Sequence, residues 1–170
     1  NNQISKSLAT FNFRGVIGDN NRIDENVILK GNVKLKNNIH LAKGCTLSGS
    51  KKGIYIDDFV SLSNYVQVFA ISDDYRGACL GGGTLTEKQR LKYSKIIESK
   101  IEIGKCCTIG PFSVILPKTK IEDFVSISPH STIYGKFQKG YFYKLNSNKK
   151  YKRNYKDIIK LYNKFFRNKL

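Results

Sequence analysis

Residues 17–47 read IGDNNRIDENVILKGNVKLKNNIHLAKGCTL. Stepping by six from Ile17 gives Ile23, Leu29, Leu35, Leu41 and Leu47 without a miss. An insertion of three residues around Ser50-Lys51-Lys52 shifts the frame, which resumes at Ile56, Leu62 and Val68. After a long break it runs again through Ile103, Ile109, Ile115, Ile121, Ile127 and Ile133. All fifteen positions are Ile, Leu or Val. Two residues before many of them stands a smaller apolar or short polar residue, as at Val27, Cys45, Val60, Cys107, Ser113 and Thr119.

Neither the 3.6-residue period of a helix nor the plain alternation of a strand yields this spacing. A short strand followed by a tight turn does, if three such units close one triangular coil and the aliphatics stack inward. The pattern predicts an all-β solenoid: a left-handed parallel β-helix of about five coils, with an excursion loop and a C-terminal α-helix. The expected divisions are an N-terminal segment over 1–15, the β-helix over 16–136 with its loop at 72–98, a turn over 137–152 and a basic amphipathic helix over 153–170. The helix is read from Tyr155, Ile158, Ile159, Tyr162, Phe165 and Phe166 on one face and Lys152, Lys156, Lys160 and Lys164 on another, with Asn154 as its cap.

The chain has 170 residues, is 40% hydrophobic and carries a formal net charge of +17. That is too apolar for a disordered polycation, and no apolar run approaches the ~20 residues of a membrane span. Residues 136–170 hold twelve Lys and Arg against the single acid Asp157, which suits the helix to packing on the coils or to peripheral contact with an anionic membrane surface. No nucleic-acid motif is present, so nucleic acid is not an expected partner. The cysteines Cys45, Cys79, Cys106 and Cys107 form no CxxC, and no metal is expected. The chain reads as cytoplasmic and reduced, with any membrane contact at the inner face. It has no methionine, so residue 1 is expected to be an expression or processing boundary.

The hexads, the loop opening Ser72-Asp73-Asp74-Tyr75-Arg76-Gly77 and the run Ile109-Gly110-Pro111-Phe112-Ser113-Val114-Ile115-Leu116-Pro117 resemble the hexapeptide-repeat acyltransferases. Over about residues 30–153 the chain looks most like the sugar O-acetyltransferases of bacterial surface-polysaccharide pathways. That resemblance implies a homotrimer, acetyl-CoA as co-substrate, a sugar, oligosaccharide or polysaccharide acceptor, and active sites in clefts between subunits. The pantetheine arm would lie along Gly110-Pro111 and Ser128-Pro129, where many relatives carry Gly-Ala. Their Gly-Asn-Pro-Ala-Lys turn is here Leu145-Asn146-Ser147-Asn148-Lys149-Lys150. Lys149, Lys150, Lys152 and Arg153 could meet the CoA phosphates.

Transfer to a hydroxyl needs a base, and histidine suits it. Only His40 and His130 exist, and where many relatives place a loop histidine this chain has Asp73-Asp74-Tyr75. His40 precedes the inward Leu41, so it points outward, in the slot that Ser61 and Thr108 occupy on later coils. His40 as base, with Asp73 and Asp74 orienting it and clamping the acceptor beside Ser61, Tyr75 and Arg76, is the leading assignment. His130, beside Pro129 at a turn, is the alternative base. The expected activity is O-acetylation of a sugar hydroxyl. The rivals are N-acetylation of a nucleotide-linked amino sugar, whose neutral amine needs less of a base, and a non-catalytic glycan-binding scaffold. A γ-type carbonic anhydrase needs three histidine ligands per metal and fits poorly.

Overall fold

The computed structural model describes residues 1–74, 79–145, 149–152 and 155–167. Short strands fall on three faces of a triangular coil. The first face carries Gln3–Ile4, Arg22–Ile23, His40–Leu41, Ser61–Leu62, Thr108–Ile109, Ser126–Ile127, Tyr141–Lys144 and Lys149–Lys152. Ala9–Phe11, Ile28–Lys30, Thr46–Ser48, Gln67–Phe69, Val114–Ile115 and Thr132–Ile133 form the second. The third holds Val16–Ile17, Val33–Leu35, Ile54–Ile56, Ile101–Ile103, Lys120–Ile121 and Lys136–Phe137. Pairing along each face is parallel, with the period-six residues in register: Leu41, Leu62, Ile109 and Ile127 follow one another up the first face. Among the described residues of these three faces, only Lys149–Lys152 runs antiparallel, against Tyr141–Lys144.

This is the left-handed β-helix that the spacing implies. Beyond the fifteen hexads, Gln3–Ile4, Ala9–Phe11 and Lys136–Phe137 bring the solenoid to six coils, and Tyr141–Lys144 with Lys149–Lys152 follow them on the first face. The N-terminal residues join the coil by the same parallel pairing, with Ile4 in register with Ile23 and Thr10 with Leu29.

The period-six aliphatics from Ile23 onward are buried, with Ile17 half-buried, and so is the second ladder of Val27, Ile39, Cys45, Val60, Val66, Cys107 and Val125. Where that ladder turns polar, the hydroxyls bond to backbone. Ser131 Oγ donates to the Ser128 carbonyl at 2.7 Å, and Thr119 Oγ1 to that of Leu116 at 2.7 Å. A buried hydroxyl is tolerated only on such terms. Burial likewise pushes the Cys45 thiol up to about 11, so it is an inert core group.

Most corners place a residue in the left-handed region. Asn supplies it cheaply at Asn20, Asn26 and Asn38, but Phe59, Tyr65, Cys106, Phe112, Phe124 and His130 also stand at φ of 53° to 60°. Bulky residues are costly there, and their side chains show why they stay. Tyr65, Phe112 and His130 stack at one corner, with ring centroids 5.2 and 5.1 Å apart. Phe59 and Phe124, at the corner between third and first faces, receive the C-terminal helix Tyr155–Arg167. Tyr162 and Phe165 meet Phe59 edge-on at 5.2 and 5.1 Å, and Tyr155 stacks on Phe124. Among the described residues no helix is long and apolar enough to cross a membrane.

The loop leaves the corner between second and third faces. Ile71–Asp73 and Ile96–Glu98 pair antiparallel as its stem, and its helix Glu87–Tyr93 starts in a capping box of Thr86 and Gln89.

Candidate active site

His40 sits half-buried on the first face, in register with Arg22 on one side and Ser61 on the other; Ser61 then aligns with Thr108. The expected stack of histidine and two hydroxyl residues is therefore formed. Beside it the structure adds a partner that the sequence reading missed. Asp24 Oδ2 lies 2.9 Å from His40 Nε2, and Arg22 Nε donates to Asp24 Oδ1 at 2.8 Å. One coil is eighteen residues here, so Asp24 occupies the slot of Ala42, two along from His40. That arithmetic was the available signal.

Burial opposes ionisation of Asp24, but the hydrogen bonds from His40 and Arg22, with their charges, outweigh it and hold its carboxyl below the ordinary value. A proton on His40 Nε2 shared with this carboxylate leaves Nδ1 as the nitrogen that can accept another.

Asp73 and Asp74 do not join this group within the chain. They stand at the loop stem, on the corner opposite the first face. Asp73 Oδ2 accepts from Gly82 N–H at 3.2 Å, while buried Asp74 pairs with Lys95 Nζ at 3.2 Å. Both line a small cavity of about 260 Å³ with Ser72, Ile97, Pro117 and Tyr134. The expected orientation of His40 by Asp73 and Asp74 is thus not formed within the chain, where the stem stands on the corner opposite the first face. Tyr75, Arg76 and Arg153 lie outside the described residues, as does the cap assigned to Asn154.

Gly110-Pro111 and Ser128-Pro129 share the corner between first and second faces. A Cβ on Gly110 would fall inside contact distance of the Pro129 backbone nitrogen, so glycine is required for the coils to close. Exposed Lys149 and Lys150 lie at the same end of the solenoid, since Lys150 aligns through Tyr143 with Ile127, next to Ser128. Lys150 Nζ donates to Gln138 Oε1 at 3.1 Å. His130 is exposed and stacked on Phe112 at 5.1 Å.

A family model described as bacterial transferase hexapeptide (six repeats) matches residues 100–135. An N-acyltransferase from Bacillus cereus, AntD, solved with dTDP and 3-hydroxybutyryl-CoA, is 30% identical, with 97% of this chain and 86% of that one covered at a TM-score of 0.88. The chain belongs to the hexapeptide-repeat acyltransferases. A variant of the same enzyme solved with dTDP-4-amino-4,6-dideoxyglucose and coenzyme A superposes at a TM-score of 0.87 with 28% identity over 97% and 87% of the two chains. The Escherichia coli dTDP-4-amino-4,6-dideoxy-D-glucose acyltransferase is 25% identical over 120 residues, 69% of this chain, which spans about 60% of that relative's length. The acetyltransferase domain of PglB from Neisseria gonorrhoeae, at 12% identity and a TM-score of 0.60, shares the fold.

These likenesses overturn the resemblance to sugar O-acetyltransferases and the expected O-acetylation with it. The similar proteins are an N-acyltransferase solved with dTDP-4-amino-4,6-dideoxyglucose and coenzyme A, and a dTDP-4-amino-4,6-dideoxy-D-glucose acyltransferase. Hexads report the coil, which both groups share, and so could not separate them.

Proposed function

We propose that this chain is a CoA-dependent N-acyltransferase acting on a dTDP-linked amino sugar, the reading first held as a rival. The match to the B. cereus enzyme along 97% of the chain carries it. The lone pair of the sugar amine attacks the thioester carbonyl and forms the C–N bond. The C–S bond then breaks, CoA departs as thiolate, and the nitrogen sheds a proton. Nδ1 of His40, oriented through Nε2 by Asp24, is positioned to take that proton and pass it to the sulfur. A neutral amine is already nucleophilic, so His40→Ala should cost less than the roughly 10²–10⁴-fold of an obligatory general base.

The pantetheine arm follows the corner of Gly110-Pro111 and Ser128-Pro129, and Lys149 and Lys150 face its phosphates. Ser61 belongs to the acceptor side, with Asp73 and Asp74 meeting it from the loop of a second subunit in a homotrimer. Whether acetyl or a larger acyl group is transferred is settled by assay. The purified chain, given dTDP-4-amino-4,6-dideoxyglucose with acetyl-CoA or 3-hydroxybutyryl-CoA, should yield an amide product by mass spectrometry. dTDP-glucose should give none. Equal turnover of the hydroxyl sugar would overturn the assignment.

A further inference from the structure

The C-terminal helix does not seal against the corner it covers. Between them lies a cavity of about 330 Å³, walled by Phe59, Cys106 and Thr108 from the coils and by Ile158, Leu161 and Tyr162 from the helix. Its lining is aromatic and aliphatic apart from one thiol and two hydroxyls. The walls are held in place by the edge-on contacts of Tyr162 and Phe165 with Phe59 at 5.2 and 5.1 Å. Thr108 is the one strand residue in this wall, and it belongs to the first face, in register with Ser61 and then His40. Adjacent strands lie about 4.8 Å apart, so Thr108 stands roughly 10 Å from His40 with Ser61 between. The cavity therefore opens onto the row where transfer is proposed.

A thioester carbonyl held beside Ser61 has polar neighbours on the His40 side and apolar space on the Thr108 side. We infer that the cavity between the C-terminal helix and its corner receives the acyl chain of the donor, so that the helix selects short acyl-CoAs longer than acetyl. The inference rests on the first face being the transfer site. Acetyl ends before the cavity begins, whereas a butyryl chain reaches into it. Each methylene so taken from water strengthens binding about fourfold.

Cys106 offers a readout that needs no acceptor sugar. It is half-exposed in the cavity wall, and Cys79, half-exposed on the loop, serves as internal control. The full chain is alkylated with iodoacetamide alone, with acetyl-CoA or with butyryl-CoA, and the rate at each cysteine is followed by peptide mass spectrometry. Thioester binding is monitored in parallel by the melting temperature. Butyryl-CoA should slow alkylation of Cys106 about tenfold at high occupancy, acetyl-CoA should leave it nearly unchanged, and Cys79 should respond to neither. Ile158→Trp fills the cavity from the helix side and should abolish the protection while sparing the acetyl-CoA melting shift. Should that variant misfold, the wild-type comparison decides alone. Equal protection by both thioesters, or none by either while both raise the melting temperature, overturns the inference. If neither thioester raises the melting temperature, the acyltransferase reading falls and takes the cavity assignment with it.

Discussion

Asp24 shows how a single carboxylate can matter to both chemistry and stability. It accepts from His40 and Arg22, and these partners hold its carboxyl below its ordinary value of 3.8. A depressed folded-state value means that its contribution is fully present above the unfolded value and is lost as pH falls through the folded one. Asp24→Asn should therefore lower the urea midpoint at neutral pH by the equivalent of about 0.2–1 kcal/mol, and the gap from wild type should close below pH 3.8. It should also reduce amide formation, since a neutral amide orients the His40 proton less firmly. Gly110 makes a different demand. Its Cβ-free backbone lies against Pro129, and Gly110→Ala should cost about 1–3 kcal/mol through forced separation of two coils, measured by thermal melting.

At the scale of elements, the C-terminal helix is anchored by one residue more than by any other. Phe59 receives Tyr162, Phe165 and Phe166 at 5.2, 5.1 and 5.8 Å, each such ring pair adding about 0.5–1.5 kcal/mol beyond the area it buries. Phe59→Ala should release the helix to trypsin at Lys156, Lys160 and Lys164, while the melting temperature of the coils moves little because Phe59 points out of the core. Unchanged protease resistance would mean that Phe124 and Tyr155 suffice. The amphipathic pattern of this helix was legible in the sequence. Its docking corner was not, because bulky residues at left-handed corner positions reveal their purpose only when the element they hold is seen beside them.

For the whole molecule, the first face and the loop stem lie on opposite sides of one coil. A site that uses both must combine two chains. Mixing His40→Ala chains with Asp73→Ala chains, unfolded and refolded together, should restore part of the activity that each lacks alone, and cross-linking should reveal three-chain assemblies. Failure to complement would place the whole site on one face of one chain. The candidate site was thus legible in part. The row of His40, Ser61 and Thr108 follows from counting hexads, whereas pairing Asp73 and Asp74 with His40 assumed a proximity that counting cannot establish.

What the sequence by itself determined is the coil. A six-residue aliphatic period has one economical solution, three short strands per turn with the aliphatics inward, and Leu62 between Leu41 and Ile109 is its direct consequence. Side-chain direction along that ladder follows from the same period, which is why His40 is outward. Only the tertiary structure decided the diagonal pair of His40 with Asp24, the opposition of loop and first face, and the cavity under the C-terminal helix. Each depends on where separate stretches of chain meet in space. A repeat constrains neighbours along its own axis, while the contacts of a loop, a corner and a terminal helix are set by packing that no local period encodes.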